Sequence, residues 1–477
     1  MKKTKIIATI GPASESKEIL KEMALAGMNC ARFNFSHGTH EEQLRKIQTV
    51  KEVREELGLP IAILLDTKGP EIRFRDFENG SVILKKDDIF VLTAEDKIGN
   101  QQIGSITYDQ LYQSVSEGVI ILVDDGKISL QVLKIEGKDI ICKVLVGGKI
   151  SNHKGINVPD TPIDMPYISD VDKKDLLFGI QQEVDYIALS FVRSAEDVLE
   201  IRKFLKENGT ENIRLISKIE NMQGIRNIKD IIEVSDGIMV ARGDMGVEVN
   251  FTKLPYIQKE IIFECNKKGK LVITATQMLE SMITNARPTR AEISDVANAV
   301  YDGSSVVMLS GESAAGNYPV ESVKTMAEIC EETEKHINYR EVHEKLFEDF
   351  PMHFRDRDDT VRVTTILAAY TAAKYQKAKG LVIATHTGRS GRILSSAKPG
   401  CAIIACTDNK KVQRQLNLEW NVIPIFMETK KDSDELISEC IEVAEKKLDA
   451  QVGDAFVILG NSKLGTSTDL IKIHISC

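Results

Sequence analysis

Features that mark secreted, zinc-binding or membrane proteins are scarce in this sequence. Of its 477 residues one is tryptophan and 5% are aromatic, and the eight cysteines are scattered, without a CxxC pair or a cysteine–histidine spacing suited to zinc. No run of about 18 uncharged apolar residues occurs, so the sequence predicts no membrane-spanning helix. We interpret the cysteines as reduced, structural thiols of a cytoplasmic protein.

The chain also lacks an export signal and an excess of positive charge. The apolar start at Ile6 and Ile7 ends at Gly11 and Pro12 and is followed by charged residues, so we expect no signal peptide. Lysine and arginine number 62 against 71 aspartate and glutamate residues, which gives a net charge of -9. This balance argues against nucleic acid or an anionic membrane as the main partner, but it allows a local basic pocket for a small phosphate.

Signatures of several large enzyme classes are absent as well. The sequence contains no GxxxxGK(S/T) phosphate loop, no HRD or DFG motif, no HExxH and no GxSxG. These absences argue against P-loop NTPases, protein kinases, zincins and α/β-hydrolases. A length of 477 residues nonetheless predicts two to four domains with at least one large core.

Eight short apolar segments, rich in β-branched residues, alternate with longer helical patterns in the first two thirds of the chain. Such strands are typical of a parallel sheet covered by helices, and eight of these units predict a closed (β/α)8 barrel, the TIM-barrel fold. The predicted strands are Lys5–Ile10, Asn29–Phe35, Ile61–Asp66, Tyr186–Phe191, Ile213–Ile219, Gly237–Ala241, Leu271–Ala275 and Ser305–Leu309.

The third and fourth predicted strands are too far apart for one strand–helix unit. About 125 residues separate their starts, and short alternating strands with turn signals such as Asp125–Gly126 fill the interval. We therefore expect an inserted, small antiparallel β-barrel domain at residues 70–159, which would act as a lid. The catalytic barrel would comprise residues 1–69 and 160–335, and a C-terminal, doubly wound α/β regulatory domain residues 340–477.

Polar and charged side chains gather where the predicted barrel strands end. Because side chains alternate along a strand, Arg32, Asn34 and Ser36 share one face and Phe33 and Phe35 the other. The carboxyl ends of barrel strands carry the active site in enzymes of this fold. The remaining members of this set are Asp66, Thr67, Lys68, Arg73, Lys218, Glu220, Arg242, Asp244, Thr274 and Thr276.

The chemistry of this set suits phosphoryl transfer. Glu220 and Asp244 offer hard oxygen ligands for Mg²⁺ or Mn²⁺, arginines suit phosphate, and Lys218 lies beside the carboxylates in sequence. Together they would neutralise the charge of a transferring phosphoryl group. Any one of these residues alone is equally consistent with a structural ion pair.

Seven motifs in order give the chain a resemblance to the pyruvate kinase family over essentially its full length. The resemblance implies a catalytic barrel, an inserted β lid and a C-terminal regulatory domain, in a family form without the extra C-terminal domain of some bacterial members. The motifs are Thr9–Ser14, Met28–Gly38, Leu65–Arg73, Ser217–Asn221, Ala241–Gly246, Thr274–Leu279 and Pro288–Glu292.

The resemblance implies the last step of glycolysis, transfer of the phosphoryl group of phosphoenolpyruvate to ADP, which yields pyruvate and ATP. It implies that Lys218, Arg32 and Thr276 are catalytic, and that Glu220 and Asp244 hold Mg²⁺ (or Mn²⁺). The substrate-binding residues would be Arg32, Lys218, Gly243, Asp244 and Thr276, and the nucleotide-binding residues Asn34, His37, Arg73 and Lys154.

The same resemblance implies a potassium site. Its ligands would be Asn34, Ser36, Asp66 and the carbonyl of Thr67. Potassium-dependent members of the family carry glutamate at the position of Glu71, whereas independent members tend to carry lysine there. We therefore expect a K⁺ requirement that Glu71→Lys weakens, since a lysine supplies the charge of the missing ion.

Regulation and assembly follow from the C-terminal part of the resemblance. Thr385, Thr387, Gly388, Arg389 and Ser390 resemble an effector loop that binds the phosphate of a sugar phosphate or a nucleotide, although an ordinary strand-to-helix turn also explains them. Tetramers are the family habit, so we expect a homotetramer. The family usually has glycine at the position of Asp160, a departure at the predicted lid hinge.

Two other functions stay open at this point. A barrel lyase that handles pyruvate enolates with Mg²⁺ would use Glu220, Asp244 and Arg32 in the same way, but it would not need Lys68, Arg73, Lys154 or the lid. A non-enzymatic sugar-phosphate sensor built on the C-terminal domain would need none of the charges at the strand ends. An assay of pyruvate formation separates the three.

Overall fold

The structure, a computed structural model, describes residues 2–347, 357–428, 430, 432–462 and 467–477. The chain begins with two strand–helix units and a third strand. These elements are β1 (Lys5–Thr9), α1 (Lys17–Ala26), β2 (Cys30–Asn34), α2 (His40–Leu57) and β3 (Ala62–Asp66). Helix α2 begins with a capping box in which Thr39 and Glu42 each bond the other's backbone N–H, so its start is defined by local sequence.

A β-rich insert follows β3. Its elements are β4 (Ile72–Arg73), β5 (Ser81–Leu84), β6 (Ile89–Thr93), β7 (Ile103–Ser105), α3 (Leu111–Ser114), β8 (Ile120–Val123), β9 (Ile128–Glu136), β10 (Asp139–Val146), β11 (Gly148–Ser151) and β12 (Gly155–Asn157). Seven of these strands form one sheet in the order β4-β12-β8-β9-β10-β6-β7, and β5 pairs with β11. The edge strands β4 and β7 meet through backbone bonds, Arg75 N to Ser105 O at 2.8 Å and Thr107 N to Arg73 O at 2.9 Å, so the sheet closes on itself.

The insert departs from the expected antiparallel pattern at one pair, because β6 and β7 run parallel. The loop between them carries the chain back to the same end of the sheet, a path that turn signals in the sequence do not reveal. The apolar core of the insert, which includes Phe74, Phe90 and Leu130, is separate from the core of the barrel.

The chain then returns to complete the barrel and its helices. These elements are α4 (Asp170–Gln181), β13 (Tyr186–Leu189), α5 (Ala195–Glu207), β14 (Arg214–Ile219), α6 (Met222–Arg226), α7 (Ile228–Val234), β15 (Gly237–Ala241), α8 (Arg242–Glu248), α9 (Leu254–Lys267), β16 (Leu271–Ala275), α10 (Arg290–Tyr301), β17 (Val306–Leu309), α11 (Gly311–Ala314) and α12 (Pro319–Glu334). The closed barrel has the order β1-β17-β16-β15-β14-β13-β3-β2, and the predicted (β/α)8 fold is confirmed.

The alternation of side chains divides the barrel into two apolar layers. Ile7, Leu64 and Met239 face the interior, whereas Phe33 and Leu65 belong to the larger layer between strands and helices. The apolar residues fill the middle of the interior, so polar side chains enter it near the strand ends. In enzymes of this fold the carboxyl end is the one that carries the chemistry.

The last third of the chain forms the α/β domain. Its elements are α13 (Tyr339–Phe347), α14 (Arg357–Gln376), β18 (Gly380–Ala384), α15 (Arg389–Ser396), β19 (Ala402–Thr407), α16 (Lys410–Leu416), β20 (Val422–Phe426), α17 (Ser433–Lys447), β21 (Ala455–Gly460) and β22 (Leu470–Ile475). The sheet order is β20-β19-β18-β21-β22, with β22 antiparallel at the edge. Apolar clusters lie on both faces of the sheet, as in a doubly wound domain.

The loop between α16 and β20, in the C-terminal domain, packs against the barrel. Leu418, fully buried, belongs to the apolar cluster inside the barrel, so the C-terminal domain closes the amino end of the barrel. The Tyr186 hydroxyl donates to Gln415 O at 2.7 Å and the Lys5 ammonium to Val422 O at 2.6 Å. Among the described residues no helix has both the length and the apolar character needed to cross a membrane.

Candidate active site

The carboxyl end of the barrel holds a buried chain of ion pairs. Arg32 Nε lies 2.6 Å from Asp66 Oδ2, and Lys218 Nζ lies 3.2 Å from Asp66 Oδ1 and 2.9 Å from Glu220 Oε1. Strand register explains their proximity, because β2 and β3 are neighbours and the side chains at the ends of β3 and β14 point into the same closed interior. Four residues that the sequence analysis singled out thus lie together.

Burial and mutual charge set the protonation of this cluster. Burial opposes ionisation of Asp66, but the adjacent Lys218 and Arg32 outweigh it and lower the Asp66 pKa. Burial likewise opposes the Lys218 charge, and the carboxylates of Asp66, Glu220 and Asp244 overcome it and raise the Lys218 pKa. The lysine is therefore a fixed positive charge in a site with little water.

Glu220 is the member of the cluster with spare binding capacity. Its Oε2 accepts the backbone N–H of Phe191 at 2.6 Å, while the buried Oε1 has no hydrogen bond within the described structure although Lys218 Nζ is near. Burial, countered in part by Lys218 and reinforced by Asp244, raises the Glu220 pKa to about 8. A carboxylate oxygen of this kind fits a divalent cation, which would favour the ionised form.

Asp244 provides the second carboxylate. It lies in the first turn of α8, close enough to Glu220 for its negative charge to contribute to the raised pKa of that carboxyl. Nowhere in the described parts of the chain do three or more His, Cys, Asp or Glu residues form a metal-ligand cluster. Two carboxylates fit Mg²⁺, which commonly keeps waters and takes further oxygen atoms from a phosphorylated substrate.

Thr276 occupies an unusual backbone position beside α8. Its φ of 66° and that of Gln277, 55°, are both left-handed. The Thr276 hydroxyl donates to Ala275 O at 2.6 Å and accepts the Gly243 N–H at 2.8 Å, so both groups predicted to bind a substrate carboxylate are bonded to each other here. A bound carboxylate would have to replace that hydrogen bond.

The Arg242 side chain hydrogen-bonds the backbone of the turn at Thr276 and does not contribute to a phosphate site. Its guanidinium donates to Thr276 O at 2.8 Å and forms an ion pair with Asp295 at 2.7 Å. The sequence analysis grouped Arg242 with the strand-end charges, and the structure gives its charge a partner in α10. It holds the left-handed segment in position.

The residues predicted to bind potassium present oxygen atoms of four kinds. Asn34 is paired with Asp66 in the β2–β3 register, the Asn34 amide oxygen accepts the Ser36 N–H at 3.0 Å, and the Thr67 carbonyl accepts the Ser190 hydroxyl at 2.7 Å. Amide, hydroxyl, carboxylate and carbonyl oxygens suit a monovalent hard cation. Lys68 is half-buried next to this segment.

The structure gives Glu71 a partner that the sequence analysis did not consider. Its carboxylate forms an ion pair with Arg73 at 2.6 Å, and Arg73 also donates to His153 O at 2.8 Å. Glu71 therefore neutralises a predicted phosphate-binding arginine.

The predicted nucleotide-binding residues lie in two cavities. A cleft of about 330 Å³ between insert and barrel is lined by Arg73, Lys154 and Asp244, and Lys154 Nζ lies 2.7 Å from Asp124 Oδ1. Asn34 and the exposed His37 instead line a groove beside the start of α2. The hinge residue Asp160 has a φ of 58°, which explains why glycine suits this position.

Sequence reasoning missed Ser190, which immediately follows β13. Its hydroxyl accepts from Lys218 Nζ at 2.7 Å and lies 3.3 Å from Asp66 Oδ1. A signal was present, since Ser190 is the one hydroxyl in the apolar run from Ile187 to Val192, but serine is common in such positions and carries no charge.

The predicted effector loop lines a cavity of about 790 Å³ in the C-terminal domain. Gly388 has a φ of 76° and donates its N–H to the Thr385 hydroxyl at 3.0 Å. Because Gly388 is the N-cap residue and has no side chain, α15 begins without a side-chain cap. The Ser390 hydroxyl bonds Thr468, and Arg389 forms an ion pair with Asp359 at 2.5 Å. Thr387 also lines this cavity.

A (β/α)8 barrel with a buried lysine, an arginine and two carboxylates at its carboxyl end defines an enzyme that acts on anionic, phosphorylated substrates. Comparison with known families is specific: residues 1–323 match the pyruvate kinase barrel domain and residues 364–474 the pyruvate kinase alpha/beta domain. The chain belongs to the pyruvate kinase family. It is a phosphotransferase that transfers the phosphoryl group of phosphoenolpyruvate to ADP, which yields pyruvate and ATP in glycolysis.

Relatives and solved structures agree with this assignment. The chain is 47% identical to a pyruvate kinase of Clostridium acetobutylicum and 46% identical to one of Clostridium perfringens, with 99% or more of each chain covered. It is 44% identical to a pyruvate kinase of Geobacillus stearothermophilus, of which it spans 80%. A crystal structure of a Cryptosporidium parvum pyruvate kinase superimposes with a TM-score of 0.94 at 38% identity, covering 100% of this chain and 96% of that one.

Proposed function

We propose that the cluster of Arg32, Asp66, Lys218, Glu220 and Asp244 performs the phosphoryl transfer, with Lys218 as the central catalytic residue. The observation that carries the proposal is the lysine ammonium held between two buried carboxylates, 3.2 Å from Asp66 and 2.9 Å from Glu220. A fixed positive charge in a dry site stabilises the negative charge that develops on the phosphoryl group and the enolate oxygen.

Glu220 and Asp244 would hold Mg²⁺ or Mn²⁺. Glu220 Oε1, which is buried without a hydrogen bond and has Lys218 as its ion-pair partner at 2.9 Å, and the charge of nearby Asp244 support this assignment. The divalent ion, when bound, neutralises phosphate charge and links the substrate oxygen atoms to the enzyme.

Arg32, Thr276 and the start of α8 would orient phosphoenolpyruvate. Arg32 Nη1 also donates to the Thr9 hydroxyl at 2.8 Å, so its guanidinium is fixed at the floor of the site, where it would contact the phosphate. The Thr276 hydroxyl and the N–H groups of Gly243 and Asp244 would bind the carboxylate.

Bond changes in the reaction occur at two centres. The phosphorus–enol oxygen bond breaks and a bond to the terminal phosphate oxygen of ADP forms, and the resulting enolate then takes a proton at carbon to give pyruvate. We assign Thr276 a positioning role, because a threonine hydroxyl is a weak acid and here already donates to Ala275 O.

Asn34, Ser36, Asp66 and the Thr67 carbonyl would bind K⁺. The mixed oxygen set supports this proposal, as does the adjacency of Asn34 and Asp66 on neighbouring strands. Glu71 would act indirectly by lowering the local positive charge through its pair with Arg73.

The nucleotide would contact residues of both cavities. Arg73 and Lys154, on strands or turns of the insert, would contact its phosphates, while Asn34 and His37 would contact it along the groove beside α2. The insert would act as a lid that excludes water during transfer. We place the domain divisions after residue 69, after residue 159 and between residues 335 and 340.

Two separate exposed apolar faces support a homotetramer. Phe251, Tyr256 and Tyr301, all at least half exposed, lie on or beside α9 and α10, and the edge strand β22 exposes Ile473 and Ile475. Two faces that each pair with themselves generate a closed tetramer with twofold axes. The cavity at the effector loop would bind a phosphorylated sugar or nucleotide, and the enzyme would act in the cytoplasm.

The test is pyruvate and ATP formation from phosphoenolpyruvate, ADP and Mg²⁺, measured in K⁺ and in Na⁺ at equal ionic strength. We expect rapid turnover in K⁺ and little in Na⁺, and none in either after Glu220→Gln. Equal turnover in both salts would remove the potassium site from the proposal. Absence of turnover in either, even with sugar phosphates added, would contradict the catalytic roles proposed for this cluster.

A further inference from the structure

Ser190 lies between the proposed potassium ligands and the proposed catalytic lysine. Its hydroxyl accepts a hydrogen bond from Lys218 Nζ at 2.7 Å and donates to the Thr67 carbonyl at 2.7 Å, with Asp66 Oδ1 3.3 Å away. A hydroxyl has one proton, so the short bond to Thr67 leaves its lone pairs for the lysine. One side chain therefore joins the two sites.

The lysine needs this contact for a defined orientation. Three oxygen atoms lie within 3.2 Å of the Lys218 ammonium: those of Asp66 and Glu220 are ion-pair partners, and the Ser190 hydroxyl is the one that accepts a hydrogen bond among the described residues. Two acceptors alone leave the ammonium free to rotate and to shift toward either carboxylate. Ser190 is the neutral acceptor, so it orients the lysine without adding negative charge.

The position of Ser190 is itself tightly constrained. It is 3% exposed, its carbonyl accepts the Tyr167 hydroxyl at 2.9 Å, and its N–H donates to the Thr67 hydroxyl at 3.3 Å. Gly69 packs against it so closely that an added Cβ there would lie 2.7 Å from Ser190 O, on a backbone with a φ of 70°. The backbone of Ser190 is therefore held in place, which keeps its hydroxyl within reach of Lys218 and the Thr67 carbonyl.

We propose that Ser190 is a positioning residue that transmits the state of the Asp66–Thr67 cation site to Lys218. The proposal rests on the roles proposed above for those residues. A carbonyl has two lone pairs, so Thr67 O is able to accept the Ser190 hydroxyl and contact a cation at once. With a cation bound there, the Thr67 carbonyl would accept a stronger hydrogen bond from the Ser190 hydroxyl, and that hydroxyl would hold the lysine ammonium in a more defined orientation.

The test compares Ser190→Ala with the wild type at increasing K⁺ and at constant ionic strength. Loss of a hydrogen bond to a charged group corresponds to about a ten- to hundredfold change, so we expect kcat to fall by that factor while KM for phosphoenolpyruvate changes much less. The ratio of activity in K⁺ to activity in Na⁺ should fall toward one. Ser190→Thr, which keeps the hydroxyl, should restore part of kcat and most of the K⁺ response.

The matched control is Ser235→Ala at the opposite end of the barrel. Ser235 is 1% exposed and its hydroxyl bonds Ser217 and Ile231 O, so this variant loses comparable buried hydrogen bonds without touching the site. We expect it to lower the unfolding temperature but to keep the wild-type K⁺ response. Should Ser190→Ala fail to fold, Ser190→Cys retains the volume with a much weaker hydrogen bond and is expected to show the same loss.

Three results contradict the proposal in distinguishable ways. Wild-type kcat and K⁺ response in Ser190→Ala or Ser190→Cys would overturn the role of Ser190 alone. Reduced kcat with an unchanged K⁺-to-Na⁺ ratio would overturn the link to the cation site. Wild-type enzyme without turnover would overturn the proposed roles of Lys218 and Asp66, and with them the role of Ser190.

Discussion

Lys218 balances two buried carboxylates as well as serving the reaction, so its removal has two separate effects. Lys218→Met leaves Asp66 and Glu220 facing each other without a shared cation, and we expect kcat to fall by at least about a hundredfold. Lys270→Met is the control, since Lys270 is a mostly buried lysine that donates to Ser235 O at 2.7 Å at the other end of the barrel. Comparable kcat losses in both variants would contradict the assignment.

Glu71 determines how much positive charge Arg73 presents to the site. In Glu71→Lys the ion pair at 2.6 Å is lost and a second cation replaces it, so we expect activity in Na⁺ to rise several-fold relative to activity in K⁺. Steady-state rates in the two salts measure this ratio. Glu78→Lys, on an exposed turn of the same insert, should leave it unchanged. A K⁺ dependence equal to that of the wild type would refute the role of Glu71.

One side chain at the start of α4 both caps this helix and contacts the chain where it leaves for the lid. Asp172 forms a capping box with Ser169, and its Oδ1 also accepts the N–H of Gly69 at 3.1 Å, where the chain leaves for the insert. Asp172→Ala removes both contacts, and we expect a loss of about 1 to 3 kcal/mol in the free energy of unfolding together with a higher KM for ADP.

Thermal unfolding, ADP kinetics and limited proteolysis at residues 160–166 check this prediction. Asp432→Ala is the control, because it removes the cap of α17 without reaching the lid. If Asp172→Ala loses stability but keeps the wild-type KM for ADP, the cap does not hold the hinge.

At the scale of the whole molecule, Leu418 joins the C-terminal domain to the barrel. It is fully buried among Ile7, Leu64 and Tyr186, and Leu418→Ala should cost about 2 to 5 kcal/mol because a cavity remains inside the barrel. Calorimetry should show the barrel transition shifted down. Leu394→Ala, a similar deletion in the core of the C-terminal domain, should affect that domain first. A barrel transition equal to the wild type in Leu418→Ala would show that the loop does not stabilise the barrel.

Lys5 makes the same junction sensitive to pH. Burial, aided by the charge of Lys2 and opposed by Glu334 and Glu419, lowers its pKa to about 7, against 10.5 in the unfolded chain. Between these values the unfolded state binds more protons, so the contribution of Lys5 makes the protein more stable as pH rises from 7 toward 10.5.

Lys5→Met tests this contribution. The quantity to compare is the difference between the free energies of unfolding of the wild type and the variant. This difference, wild type minus variant, should increase by about 1 to 2 kcal/mol from pH 7 to pH 8.5, because groups that titrate in both proteins cancel. Denaturant unfolding of both proteins at the two pH values measures it. A difference that stays constant or falls with pH would contradict a buried, partly neutral Lys5.

The eight barrel strands were predictable because apolar runs and their spacing are local properties of the sequence. The same local alternation predicted that Arg32 and Phe33 would lie on opposite faces of β2, and the positions of the strand ends predicted that the polar residues of β2, β3 and β14 would share one end of the barrel. Which face of β2 points inward was decided by the closed barrel. The parallel pairing of β6 with β7 was not predictable, because a loop's return path is not encoded in strand alternation.

The tertiary structure alone decided which residues far apart in the chain come into contact. Ser190 reads as an ordinary serine until folding brings it 2.7 Å from both Lys218 and the Thr67 carbonyl. Leu418 reads as an apolar loop residue until the C-terminal domain packs against the barrel. Composition and periodicity determined which elements form and which charges meet at the strand ends, whereas long-range packing determined which neutral residues hold those charges in place.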